Sequence, residues 1–172
     1  YVWMATSPEY GQLGGAISRV DPETGDIKVW RHLVPDQKVN ALVLDPERRR
    51  IYFSTEVFGD MDSAVPTQKT GEVAAFDMVR LRLIRRQPVR DGVPGCTALC
   101  VLLGGRLLLQ VGTELLAWDC DAGTIRSLGA LPAPVAAVAT DDDGAVWATV
   151  GQQIGRIDFT EGGQARFVPA VP

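Results

Sequence analysis

The chain has 172 residues, 46% of them hydrophobic and 22% charged, the balance of an ordinary soluble globular domain. No apolar run approaches the roughly eighteen residues a membrane helix needs, so membrane partners are not expected. A formal net charge of -4 argues against nucleic acid as a partner, because phosphate-backbone binders carry a basic surplus.

In chain order, short extended runs follow one another, punctuated by Gly and Pro and without helical periodicity. Tyr1-Val2-Trp3-Met4-Ala5 lacks the basic start and apolar core of a signal peptide. It reads as the middle of a strand, as in a cut from a longer chain. One phrase then recurs four times: Ile17-Ser18-Arg19-Val20-Asp21, Val73-Ala74-Ala75-Phe76-Asp77, Leu115-Leu116-Ala117-Trp118-Asp119 and Ile154-Gly155-Arg156-Ile157-Asp158. Each Asp precedes turn-prone residues and is expected to accept hydrogen bonds from nearby backbone N–H groups.

These markers set four units: 1-38, 39-96, 97-134 and 135-172. The first predicts strands over 2–6, 16–21 and 27–30 (B, C and D) and no strand A. The second predicts strands A to D over 39–45, 50–55, 72–77 and 82–87. The third predicts 97–103, 106–111, 115–119 and 125–128; the fourth predicts 135–140, 145–150, 154–158 and a short run near 165–168. Strand A is apolar on both faces in Ala41-Leu42-Val43-Leu44 and Ala98-Leu99-Cys100-Val101, as for a strand packed on two sides. Four antiparallel strands repeated at about 40 residues make the blade of a β-propeller. The fold class is therefore all-β, with about four blades present, expected to be part of a larger propeller of six to eight blades; a compact four-bladed ring is the alternative. The remaining blades of a longer chain are then an expected partner.

Asp21-Pro22-Glu23-Thr24-Gly25, with Val39-Asn40-Ala41-Leu42-Val43-Leu44-Asp45-Pro46 and Ile51-Tyr52-Phe53, resembles the YVTN/YncE-like bacterial propeller repeat. The likeness is one of repeat architecture, and Asp119-Cys120-Asp121-Ala122-Gly123 is a degraded copy of its turn. It implies WD40-like blades in a bacterial protein, cytoplasmic or secreted. Its relatives include surface-binding proteins, lactonase-like hydrolases and carbohydrate-active enzymes, so fold alone leaves the activity open. It also implies that the B-to-C and D-to-A connections share one face around the channel.

On that face, the B-to-C loops over 7–15 and 56–71 are long, and loops of such length commonly carry function. With the D-to-A connection over 32–38 they gather Glu9, Tyr10, His32, Asp36, Gln37, Glu56, Phe58, Asp60, Asp62 and Gln68 as ligand-binding candidates. Tyr10 and Phe58 suit stacking on a sugar ring, while carboxylates and amides direct hydrogen bonds. A small molecule, a carbohydrate or a protein is the expected partner there, bound without catalysis. The alternative is part of a propeller lyase, hydrolase or lactonase, using acidic residues and a divalent cation.

Glu56, Asp60 and Asp62 offer the oxygen ligands of calcium, but their spacing does not match an EF-hand loop. No cofactor motif, nucleophile elbow, P-loop or zinc-protease signature occurs. Cys96, Cys100 and Cys120 have neither disulfide-framework nor zinc spacing, and Cys96 and Cys100 read as small core residues. Asp141-Asp142-Asp143-Gly144 reads as a hairpin turn. The arginines of 80–90 read as edge protection on an outermost strand, with docking of an acidic partner as the other reading.

Overall fold

Alternating and fully apolar runs too short for stable helices bury their side chains only by pairing into sheets. In the computed structural model, which describes residues 1–62 and 64–170, they do so in four antiparallel sheets. The first sheet has three strands, β1 (Val2–Thr6), β2 (Ala16–Val20) and β3 (Ile27–Arg31). The second has β4 (Lys38–Asp45), β5 (Arg50–Glu56), β6 (Glu72–Asp77) and β7 (Arg82–Pro88). The third has β8 (Thr97–Val101), β9 (Leu107–Val111), β10 (Glu114–Asp119) and β11 (Thr124–Ala130). The fourth has β12 (Val135–Thr140), β13 (Val146–Val150), β14 (Gln153–Phe159) and β15 (Ala165–Pro169). In each, neighbours in sequence are neighbours in the sheet, the order of a propeller blade.

Contacts divide the chain into two compact units, residues 1–97 and residues from 98 onward. Within the first, Ile17, Ile51, Phe53, Ala74 and Phe76 are fully buried between blades one and two. Trp3 and Trp30 stack at 5.6 Å and both meet Phe76 edge-on, at 6.0 and 5.1 Å. Within the second, Leu108, Leu115, Ala117 and Leu128 of blade three face Val146, Ala148 and Ile157 of blade four. Burying each Val, Leu, Ile or Phe among them stabilises the fold by roughly 1.5–3 kcal/mol.

The repeated Asp acts as the turn residue in three of its copies. Asp21 Oδ1 accepts from Glu23 N at 3.0 Å, Asp77 Oδ1 from Val79 N and Arg80 N at 2.8 Å, and Asp119 Oδ1 from Ala122 N at 2.9 Å. The Arg80 N–H bond holds the Asp77 carboxyl below its ordinary range, against a smaller opposing effect of burial. Asp158 departs: it pairs with Arg156 (2.5 Å), and the Thr160 hydroxyl accepts from Gln164 N in the same turn.

Asp141 closes the turn between β12 and β13. Its carboxylate accepts from Trp147 Nε1 (3.0 Å), Ala145 N (2.8 Å) and Asp143 N (3.1 Å). The indole bond, then the backbone bond from Ala145, lower its pKa.

Candidate functional site

The polar sector lies where the β1–β2 loop, the β3–β4 connection and the β5–β6 loop converge in the first unit. Glycine sets how closely these segments approach. A Cβ at Gly59 would stand 2.6 Å from the Gln12 carbonyl, so the two long loops touch only because that side chain is absent. A Cβ at Gly71 would stand 2.6 Å from Gly95 Cα and 2.7 Å from the Thr55 carbonyl, at the base of the second loop.

Glu9 and His32 line one pocket of about 200 Å³, with Thr6, Ser7, Gln12 and Arg31. His32 is held at φ +53, with its ring against Gly14. Its backbone N–H donates to the Gly15 carbonyl at 3.1 Å. An acid, an imidazole, a guanidinium, a carboxamide and two hydroxyls thus open onto one small space. The set suits a small hydroxylated ligand, and Glu9 with His32 offers acid–base chemistry. Tyr10, next along the loop, is 76% exposed.

The remaining predicted residues fall outside this pocket. Asp36, at φ +57, accepts from Thr67 Oγ1 at 2.8 Å and so ties the connection to the β5–β6 loop beside exposed Gln68. Gln37 is buried. Its Nε2 donates to the Thr70 carbonyl (2.9 Å), and its Oε1 accepts from Thr55 Oγ1 (2.5 Å), which in turn accepts from Glu72 N (2.9 Å). Both ends of that amide brace the loop. Glu56 pairs with Lys38 at 2.5 Å, across the β4–β5 register, and packs against Gly95.

Phe58 lies at the surface, and Asp60 is half-buried at the start of a single 3₁₀ turn, Asp60–Asp62. The side chain of Asp62 lies outside the described residues. Among the described residues no three His, Cys, Asp or Glu side chains gather in a way that would hold a metal ion.

Sequence reading missed Arg31, Ser7 and Gln12. Arg31 ends β3 beside exposed residues, so nothing in its spacing separates it from a rim charge.

Asn40, itself exposed, forms a second polar brace with buried Ser54 and Cys96. A register shift between Val39 and Ala41 leaves Asn40 as a bulge in β4. Its Nδ2 donates to the Cys96 carbonyl and its Oδ1 accepts from Ser54 Oγ, both at 2.7 Å. Cys96 and Cys100 are buried, and burial pushes both thiols up to about 12.

The sheets define the protein class: blades of a β-propeller, the first of three strands and the others of four. Solved structures share this fold. Virginiamycin B lyase from Staphylococcus aureus aligns over 98% of this chain and 55% of its own, with TM-score 0.63 and 17% identity. A periplasmic gluconolactonase from Pseudomonas aeruginosa aligns over 99% and 55%, with TM-score 0.64 and 17% identity. TolB from Acinetobacter baumannii aligns over 96% and 43%, with TM-score 0.54 and 14% identity. The chain thus spans about half the length of the lyase and the lactonase. At these identities the likeness is one of fold. No family model matches the chain, and no curated protein matches it in sequence.

Proposed function

We propose that the chain is a β-propeller binding module whose long-loop face takes a small hydroxylated molecule, such as a sugar or sugar acid. The observation that carries this reading is the convergence of Glu9, His32, Arg31 and Gln12 on one pocket beside exposed Tyr10. Arg31 favours a sugar acid over a neutral sugar, since a guanidinium pairs with a carboxylate through two parallel bonds. Titrating the labelled chain with D-gluconate and D-glucose, followed by amide NMR shifts, tests it. Shifts confined to residues 6–15 and 31–32, weakened by Glu9→Gln and by His32→Asn, are expected. Shifts that both variants leave unchanged would sink the site.

A second reading is catalytic. It is motivated by a carboxylate and an imidazole lining the same pocket, and by a lyase and a lactonase among the structures of similar fold. In it Glu9 and His32 supply acid and base, and Glu56 and Asp60, on the separate β5–β6 segment, supply further carboxylates. Calcium is the cation this reading would take, and calorimetry with calcium chloride checks it. Hydrolysis of glucono-1,5-lactone, followed by acid release, separates the two readings. Turnover lost in His32→Asn with binding retained favours the enzyme; binding with no turnover favours the module.

Further blades are the proposed structural partner. Val2, Met4, Ile27 and Val29 are exposed on the face of blade one turned away from blade two. Trp147 and Ile154 are exposed on the face of blade four turned away from blade three. In blades one and three, the strand-B positions that correspond to Trp147 (Trp3 and Leu108) pack on the following blade. A blade of the same repeat fits these faces. Trp147→Lys is expected to reduce self-association in sedimentation, and no change would count against the reading.

A further inference from the structure

The second unit has a cleft that the long-loop reading does not use. It lies between blades three and four, on the side of the β8–β9, β12–β13 and β14–β15 turns, with a volume of about 330 Å³. That is within the size range of small-molecule sites, roughly 300–1,000 Å³. Its floor is Ala117 and Leu128, both buried, with Leu102 beside them. Phe159 and Leu103 form apolar walls, and Arg106, Arg126 and Glu161 supply its charged groups.

Local backbone chemistry builds this shape. The register of β10 and β11 shifts between Leu115 and Leu116, leaving Leu128 as an extra residue turned into the core. Arg126 pairs with Ala117 and so stands on the face directed at blade four. There its guanidinium lies on Gly163, where a Cβ would come within 3.1 Å of Cζ. Leu103 lies on Gly144, where a Cβ would stand 2.7 Å from its Cδ2. Both glycines have positive φ, at +73° and +79°, so each serves its turn and leaves room for a side chain from the neighbouring blade.

Charge is left over in this cleft. Elsewhere in the unit Arg156 is paired with Asp158. Among the described residues neither Arg106 nor Arg126 has an ion-pair partner. With Glu161 in the lining, the cleft carries a surplus of one positive charge over an apolar floor. That combination disfavours a dianion such as phosphate and disfavours a cation. It suits one carboxylate joined to a short apolar body.

We propose that this cleft binds a small apolar monocarboxylate, with Arg126 and Arg106 on the carboxylate and Leu102, Leu128 and Phe159 around the hydrocarbon. A planar guanidinium matches a carboxylate through two parallel bonds; Arg106 is half-buried, and Arg126 reaches the cleft from an exposed position on β11. The site is independent of the sugar pocket, which lies in the other unit.

The test is an amide NMR titration of the full chain with hexanoate, hexan-1-ol and sodium sulfate at matched ionic strength. Saturable shifts with hexanoate are expected at residues 102–106, 126–128 and 159–163. Hexan-1-ol is expected to bind about tenfold more weakly, because a charge-assisted pair is lost. Arg106→Gln with Arg126→Gln is expected to weaken hexanoate about tenfold, while Arg166→Gln, an exposed charge outside the cleft, leaves it unchanged. Equal binding of the alcohol, equal shifts with sulfate, or shifts that never saturate would each overturn the proposal. Retained sheet signal by circular dichroism in the double variant separates loss of binding from loss of fold.

Discussion

The polar sector of the first unit and the cleft of the second use charge in opposite ways. In the first unit, the polar groups on β4 to β6 at the base of the second long loop are engaged by the fold itself. Gln37, Thr55 and Glu72 form one hydrogen-bonded chain, Asn40 and Ser54 another, and Lys38 neutralises Glu56. In the second unit the loops are tight, the floor is apolar, and among the described residues two guanidinium groups have no ion-pair partner, with one carboxylate in the lining. Long loops need internal bonding because their backbone groups lack a sheet to pair with. Tight hairpins satisfy themselves and leave charge free for a ligand.

Substitutions can break this comparison, and the cores set its scale. Phe76→Ala removes the ring that meets both Trp3 and Trp30, and is expected to cost about 3–5 kcal/mol in denaturant unfolding. A loss under about 1 kcal/mol would mean that the three-ring cluster does not hold the blades.

Thr55→Val tests the polar brace. It leaves the Gln37 carboxamide oxygen and the Glu72 N–H without their buried partner, at an expected cost of about 1–3 kcal/mol. Gln110→Leu is its counterpart in the second unit, where the half-buried carboxamide accepts from Val135 N at 2.6 Å and donates to its carbonyl at 3.4 Å. A larger loss at Gln110 than at Thr55 would reverse the contrast.

Alkaline pH probes both units, through Cys96 in the first and Cys100 in the second. Their folded values are raised, so the neutral thiols favour the fold below the ordinary thiol range. That contribution is lost as pH rises from the ordinary value toward about 12. Unfolding midpoints should fall across that window, and both thiols should resist a thiol reagent at neutral pH until the chain unfolds. Rapid native labelling would contradict the burial.

Smaller effects follow at the surface. Lys38→Met removes the partner of a partly exposed carboxylate, and should cost up to about 1 kcal/mol, less at high salt. Arg82→Ala on exposed β7 should change stability by less than about 0.5 kcal/mol. Sedimentation then distinguishes edge protection, which predicts more self-association, from a docking role, which predicts none.

Much of the fold is legible in the chain. The strand boundaries expected from Gly, Pro and the marker Asp agree with the sheets to within a residue or two, because hairpin turns and apolar alternation are local signals. Side-chain roles were less legible. Gln37 and Glu56 look like surface groups in sequence, yet one is buried and the other is paired across a register. The bulges at Asn40 and Leu128 also escape pattern reading, since one extra residue hardly disturbs a short apolar run.

The sequence by itself determined that the chain makes propeller blades, and the first of them without an inner strand. Four copies of one strand-and-turn phrase specify local geometry, and local geometry needs no partner from far along the chain. Only the tertiary structure decided which polar groups meet. Arg31 lines one pocket with Glu9 and His32, and Arg126 lies over Gly163 from the neighbouring blade. Such meetings depend on how blades pack, and packing depends on distant residues that no short repeat encodes.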